Sequence, residues 1–284
     1  MKISGKKTNK LLFLFGLLCV LAVISTGVSF YKNSVVPAHA FKIMTFNIGR
    51  TQEIPEIKIE TLVPIIKKES PDIVLLQEAY LPKAKKMAEL AGYRMLSLPG
   101  EKRQHVRILS RYPVQFIGAK KLSDDDNVGK DVVCAEVDTD RGLLLACSVY
   151  LTSIRTELGK EVMNDTAKLV CMSLKEVLFE SKRSREVKEL VDWLASFKYE
   201  NIVIGGDFNS LFLSKAGRKM RKVFHDSAWL SPALFVGSHK TQEFHLPVKV
   251  DYIFLSNNLS SSGTKIIPES PGDHFPVVTN ILLN

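Results

Sequence analysis

Five short stretches place side chains that bind metals or phosphate, or carry protons, at the ends of apolar runs. They are Thr45-Phe46-Asn47, Gln77-Glu78, Gly206-Asp207-Phe208-Asn209, Asp251-Tyr252 and Asp273-His274. A polar group at a strand end stands on the rim of a sheet, where water or a cation reaches it, while the apolar run behind it holds it rigidly. One such stretch alone reads equally well as a turn cap, because Asp and Asn after a strand close turns through their own side chains. All five together point to metal or phosphate binding with proton transfer. No HExxH motif and no Cys/His cluster accompanies them, so the oxygen donors favour a hard cation over zinc.

The elements that must position these groups follow from periodicity. Phe41 to Asn47 reads as a strand, and Asp72 to Gln77 and Asn201 to Gly205 read as fully buried strands. Arg107 to Ser110, Val132 to Val137, Leu143 to Leu151, Val250 to Leu255 and Val277 to Ile281 are further strands. Helices are expected over Ile57 to Glu69, stopped by Ser70-Pro71, and over Lys83 to Ala91, stopped at Gly92. Two more span Glu161 to Glu180 and Arg185 to Phe197, separated by the basic stretch Ser181-Lys182-Arg183-Ser184. Hairpins alternate with strand-helix-strand units, so the sheets should be mixed, and buried strands need cover on both faces. Two sheets packed as a sandwich and flanked by helices satisfy both demands.

At 284 residues with 45% apolar content the chain is too hydrophobic to be disordered and long enough for one large α/β domain. Its formal charge is +9, but five lysines and no acidic residue lie in the first forty positions; the other 34 basic residues face 30 acidic ones, a mild +4. That excess suits an anionic substrate, and an ordinary solvated surface accounts for it equally. Lys2, Lys6, Lys7 and Lys10 precede an apolar run from Leu11 to Phe30, which as a helix would span roughly 30 Å, the thickness of a bilayer core. Leu11 to Ile24 has signal-peptide length and Ala38-His39-Ala40 forms an A-x-A cleavage pattern, whereas the whole run has transmembrane length. Both alternatives make residues 1–40 a leader or anchor and export the domain at 41–284, which is released after cleavage near Ala40 or held to the membrane through the N-terminal helix. Export permits disulfides, but four cysteines imply no framework. A hairpin centred between Asp140 and Arg141 sets Cys134 opposite Cys147; two buried thiols are expected there, because directly opposed cross-strand cysteines make strained bonds.

Motif by motif the chain resembles the endonuclease/exonuclease/phosphatase superfamily: FNI at 46–48, LLQE at 75–78, ILSRYPV at 108–114, GGDFNS at 205–210, VDYIFLS at 250–256 and GDHFPV at 272–277. The resemblance runs from about Phe41 to the C-terminus. It implies a four-layer αββα sandwich of two mixed β-sheets flanked by helices, here preceded by one N-terminal hydrophobic helix, with the active site at one rim. It also implies Glu78 as the principal ligand of Mg²⁺ (or Mn²⁺), supported by Asn47 and Asp273. Asp207 would orient or deprotonate the attacking water, and Asn209 would hold that water or a phosphate oxygen. His274, oriented by Asp251, would donate to a phosphate oxygen or assist proton transfer. Many relatives place a second His where Tyr150 stands. Abasic-site endonucleases use Tyr there, which implies a phenol donating to phosphate, but Ser153 and Gly49 depart from their pattern of Asn and Asp. A rim aromatic with its hydroxyl in water is the alternative for Tyr150.

Arg50, Arg155, Lys249 and His245 are groove candidates for substrate contact, whereas His105, His225 and His239 sit in polar surroundings that suit solvated surface rings. The leading function is a phosphodiesterase acting outside the cytoplasm on an anionic phosphate ester, most simply a nuclease acting on nucleic acid as a monomer. A phospholipid or sphingomyelin phosphodiesterase, or an inositol phosphate phosphatase, is the second. That lipid alternative calls for exposed apolar loops, which Phe212-Leu213 and Ala228 to Val236 could supply if they escape the core. A binding module that keeps the fold without catalysis is the third.

Overall fold

A computed structural model of the chain describes residues 40–49, 59–99, 105–122, 131–154, 166–229, 231–240 and 247–283. The expected N-terminal hydrophobic helix lies outside the described residues, as do Arg50, Arg155 and His245. Among the described residues no helix is long and apolar enough to cross a membrane.

The apolar run after Ala40 forms β1 (Phe41–Asn47), in which every residue except Lys42 is buried. The amphipathic stretch after it forms α1 (Ile59–Glu69), which ends where Ser70 turns to φ 52° ahead of Pro71. Then come β2 (Ile73–Gln77) and α2 (Leu81–Ala91), closed by Gly92 at φ 79° with its N–H on the carbonyls of Ala88 and Glu89. The chain continues through β3 (Arg94–Met95), β4 (Arg107–Ser110), β5 (Val114–Lys121), β6 (Asp131–Thr139) and β7 (Gly142–Tyr150). After α3 (Thr166–Leu178) and α4 (Lys182–Leu194) come β8 (Ile202–Asp207), α5 (Lys215–Met220) and β9 (His225–Asp226). Last are a 3₁₀ turn at Pro232–Leu234, β10 (Asp251–Leu255), β11 (Leu259–Ile266) and β12 (Val277–Leu283).

Two six-stranded sheets result, in the orders β11-β12-β1-β2-β4-β3 and β5-β6-β7-β8-β10-β9. Each has one parallel pair at its centre, β1 with β2 and β7 with β8, and antiparallel neighbours elsewhere, so both are mixed as the alternation of hairpins and crossovers predicts. Alternation along each strand sorts the core into layers. Ile73 and Leu75 of β2 meet Val203 and Ile253 of the other sheet, whereas Val74 and Leu76 face Leu62, Ile66 and Met87 under α1 and α2. Ile202 and Ile204 of β8 turn the other way, onto Val187, Leu190 and Met220 under α4 and α5. The molecule is an α/β sandwich: two sheets face to face with helices outside. Each side chain buried as fully as Leu75 contributes about 2 kcal/mol.

The register on β6 and β7 does set Cys134 opposite Cys147, but the two form a disulfide rather than two thiols. Their Cα atoms are 4.1 Å apart, as in the closely spaced pairs of an antiparallel ladder, which carries the sulfurs into bonding reach. The basic stretch expected to separate two helices is instead the first turn of α4. Ser181 caps it by accepting from the Ser184 N–H, and Arg183 is buried in an ion pair with Glu176.

Candidate active site

Register brings the five chemical stretches to one rim. In the parallel pairs Asn47 lies beside Gln77 and Tyr150 beside Asp207, so these four strand ends point the same way. β10 runs antiparallel to β8 with Asp251 opposite Asp207, and β12 runs antiparallel to β1 with Val277 opposite Thr45, so the start of β10 and the residues ahead of β12 reach the same edge. A buried polar chain ties the two sheets just beneath it. Thr45 Oγ1 donates to Gln77 Oε1 at 3.2 Å, Gln77 Nε2 to Ser148 Oγ at 3.0 Å, and Ser148 Oγ to the Leu76 carbonyl at 2.9 Å. The Gly205-Gly206 pair is dictated by space. A Cβ at Gly205 would meet Leu75 Cδ1 of the opposite sheet at 2.6 Å, and one at Gly206 would meet the Val149 carbonyl oxygen at 2.0 Å.

The loop after β8 is held as firmly. Phe208 is buried edge-on against Tyr252 and Phe254, and the Tyr252 hydroxyl donates to the carbonyls of Ser210 and Lys249, each at 3.0 Å. Glu78 and Asn209, which follow the two central parallel strands, both take positive φ, 53° and 47°. A left-handed backbone costs a non-glycine residue about 1 kcal/mol, so the packing around these two residues holds them there.

Asn47 Nδ2 donates to Asp207 Oδ2 at 3.0 Å, while its own oxygen accepts from the Gly49 N–H at 3.0 Å. Asp207 Oδ1 accepts from the Asn209 N–H at 2.9 Å, and Asn209 Nδ2 donates to the Leu151 carbonyl at 3.1 Å. His274 Nδ1 pairs with Asp251 Oδ2 at 2.9 Å, and its Nε2 faces Asp207 Oδ2 at 3.8 Å. The Ser238 hydroxyl accepts from the N–H groups of Val250 and Asp251, fixing the start of β10. Tyr150, almost fully buried, donates its phenol to Glu78 Oε1 at 2.8 Å.

Charge follows from this geometry. Burial works against a charged His274, but the carboxylates of Asp251 and then Asp207 outweigh it and raise the imidazole to about 10, so the ring is a cation at neutral pH. Burial and the neighbouring Asp251 push the Asp207 carboxyl up to about 7, against the pull of His274. Burial would raise Asp273 too, yet the His239 imidazole beside it and the charge of His274 hold it well below the usual carboxylate range.

Of the residues expected from sequence, Asn47, Asp207, Asn209, Asp251 and His274 form one bonded cluster, and Tyr150 joins Glu78 to its edge. Asp273 stands beside His274, with Oδ1 3.5 Å from where a Cβ of Gly49 would lie. Donor atoms of Asp207, Asp251 and His274 lie within 4.8 Å of one another, as do those of His239, Asp273 and His274. Two expectations fail. His239 is no surface ring: it bridges to His274 in backbone pairing, its ring lies 4.3 Å from that of His274, and its Nε2 is 3.6 Å from Asp273 Oδ2. Nothing in its local sequence distinguishes it from His105 or His225. Lys249 does not face the groove. It is buried 3.6 Å from Asp226 Oδ2 and lies over the Tyr252 ring.

The family model described as Endonuclease/Exonuclease/phosphatase family matches residues 44–274, which includes every residue of this cluster. The chain belongs to that family. No curated protein sequence matches it significantly. Among solved structures sharing the family's fold, a conserved Enterococcus faecalis protein of unknown function is similar at 16% identity and TM-score 0.63, covering 86% of this chain and all of that one. Danio rerio TDP2 in complex with a single-strand DNA product is similar at 14% identity and TM-score 0.63, over 86% and 99%. The Bacteroides thetaiotaomicron mannosyl-6-phosphatase Bt3783 is similar at 17% identity and TM-score 0.56, over 85% and 99%.

Proposed function

We propose that the chain is a divalent-metal-dependent hydrolase of phosphate esters acting outside the cytoplasm, with phosphodiesters of nucleic acid as the first substrate to test. The observation that carries this reading is the buried cluster in which one imidazolium, His274, is held between Asp251 and Asp207 at the rim where Asn47 and Glu78 also emerge. Family membership supports phosphate-ester hydrolysis, and a similar fold bound to a DNA product supports nucleic acid as the first choice.

The side chains fit a hard cation. Glu78, Asn47 and Asp273 would ligate through carboxylate and amide oxygens, and a cation nearby would favour the ionised form of Asp207, which burial and Asp251 push up to about 7. When bound, Mg²⁺ or Mn²⁺ would polarise a phosphoryl oxygen and offset charge building on the phosphate. Asp207 accepts the proton of the attacking water, for which an ionised carboxylate is needed. Asn47 orients Asp207, and the Asn209 N–H fixes its other oxygen. His274 presents an Nε2–H to a non-bridging phosphate oxygen, with Asp251 keeping the ring charged and aimed. Tyr150 acts through Glu78, because its phenol proton is given to that carboxylate rather than offered to a phosphate.

A second reading, a phospholipid phosphodiesterase, is favoured by apolar side chains left exposed on the loops after β8 and β9, among them Leu213 and Trp229. Purified protein assayed with Mg²⁺ or with EDTA on plasmid DNA, single-stranded RNA, phosphatidylcholine and sphingomyelin vesicles and inositol phosphates decides between them. Metal-dependent turnover of nucleic acid is expected. Turnover confined to lipid vesicles would select the second reading, and none on any substrate would leave a binding module.

A further inference from the structure

Two neighbouring pieces of surface leave apolar side chains in water. At the end of α3, Leu174, Leu178 and Phe179 are 60%, 66% and 63% exposed. On the loop after β8, Leu213 stands four residues beyond Asn209 at 61% exposed, and Trp229, at 54%, stacks on Phe212 with centroids 6.0 Å apart. Arg218 shows that these pieces form one face, because its guanidinium donates both to the Leu213 carbonyl and, at 2.6 Å, to the Val177 carbonyl.

The same face is basic. Residues 211–225 contain five Lys or Arg and no Asp or Glu. Glu180 answers two of them, reaching Lys215 at 3.5 Å and Lys219 at 2.8 Å, while Arg218 and Lys222 are exposed. Exposed Leu, Phe and Trp beside a basic stretch is the composition of a surface that seats its apolar groups at the headgroup boundary and its cations on anionic lipid.

We propose that this face docks the domain on an anionic lipid bilayer. A second copy of the chain would set cations against cations, and a single strand of nucleic acid would find a stacking surface in Trp229 but none in the three leucines. The apolar run Leu11 to Phe30 upstream of the domain is an independent reason: where it stays on the chain, it is long enough to span a bilayer and would keep the domain within a short linker of one. Docking goes beyond the hydrolase reading and does not rest on it, since it requires no turnover.

The chain has two tryptophans, Trp193 and Trp229, so the emission of the native chain minus that of Trp229→Phe isolates Trp229. The full chain is bound to vesicles of phosphatidylcholine alone or mixed with phosphatidylglycerol, each with and without brominated acyl chains, and no substrate is added. Expected are a blue-shifted Trp229 component and its quenching by bromine in the phosphatidylglycerol vesicles. Lys222→Gln should lower the docked-to-undocked ratio about fivefold, the effect of one basic side chain near an anionic surface. Trp229 emission that stays red and unquenched while the chain sediments with the vesicles overturns the proposal. So does a Trp229 shift produced by single-stranded DNA but by no vesicle, or one produced by raising protein concentration without lipid. A missing catalytic activity leaves every one of these outcomes readable.

Discussion

Replacing Asp251 with Asn keeps a hydrogen-bond acceptor beside His274 Nδ1 but removes the charge 2.9 Å away that most favours the imidazolium. The native ring is raised from 6.5 to about 10, which at 1.36 kcal/mol per unit is a preference for the charged form of about 5 kcal/mol. Two unit charges about 4 Å apart at an effective dielectric near 20 interact by about 4 kcal/mol, so the loss of Asp251 alone should lower the ring by about 3 units. The ring would then titrate near or below 7. Stability must follow with a definite sign. A histidine raised on folding contributes stability that is fully present below 6.5 and is lost as pH climbs toward 10. Asp207, also raised, loses its contribution earlier, as pH rises from 3.8 through about 7; burial lowers the Lys249 amine, which gives an opposite slope common to both chains, so from 7 to 10 the difference between the native chain and the variant reports His274. The assay is a pair of NMR titrations of the His274 ring nitrogens, with urea unfolding at pH 7 and pH 9.5. The native ring should remain protonated at pH 9 and native stability should fall across the interval, while Asp251→Asn should show a neutral ring and a flatter profile. A native ring titrating near 6.5, or a variant ring still protonated at pH 9, would refute the electrostatic account of the site.

Other expectations follow from the same geometry. Asp207→Asn should lower turnover by at least about a hundredfold with the fold intact by circular dichroism, and the native rate should decline on the acid side as Asp207 takes up a proton. That midpoint belongs at or below about 7, because a bound cation adds to the charge favouring the carboxylate; a rate flat from pH 8 to 5 would remove Asp207 as the proton acceptor. Tyr150→Phe removes the phenol that donates to Glu78 and should weaken Mn²⁺ binding by about 10- to 100-fold in a calorimetric titration, whereas unchanged affinity would reduce the phenol to packing. Replacing both Cys134 and Cys147 with Ala should cost about 3 kcal/mol in urea unfolding, the loop-closure value for cysteines 13 residues apart, and an unmoved midpoint would contradict it.

The centre of the fold was legible because its strands are written as unbroken apolar runs. β1, β2, β8 and β10 were all readable, and each carries a candidate residue at or just beyond its rim end. The edges were not. β5 has alternating half-exposed residues and a register shift near Gly118, and β11 begins Leu-Ser-Ser-Ser and shifts near Gly263, so neither has the composition of a buried strand. Missing the short β9 also hid Asp226, the partner that takes Lys249 inside. The start of α4 looked like a charged linker because a buried arginine is indistinguishable in sequence from a solvated one until Glu176 is seen beside it. The candidate residues at strand ends stood out through that placement, and the structure brings them to one rim. His239 was not, since only the long-range bridge between two irregular segments sets its ring against His274. Disulfide formation likewise depended on how closely two strands approach, which register alone does not give.

The central claim, that Glu78, Asn47 and Asp273 hold a cation in the same cleft as Asp207 and His274, is tested most directly by crystals soaked in Mn²⁺ and measured at the manganese absorption edge. The account predicts one strong anomalous peak bounded by Glu78, Asn47 and Asp273, lost in Glu78→Gln. A saturating soak that leaves this cleft without a peak, or places its strongest peak on another surface, would contradict it.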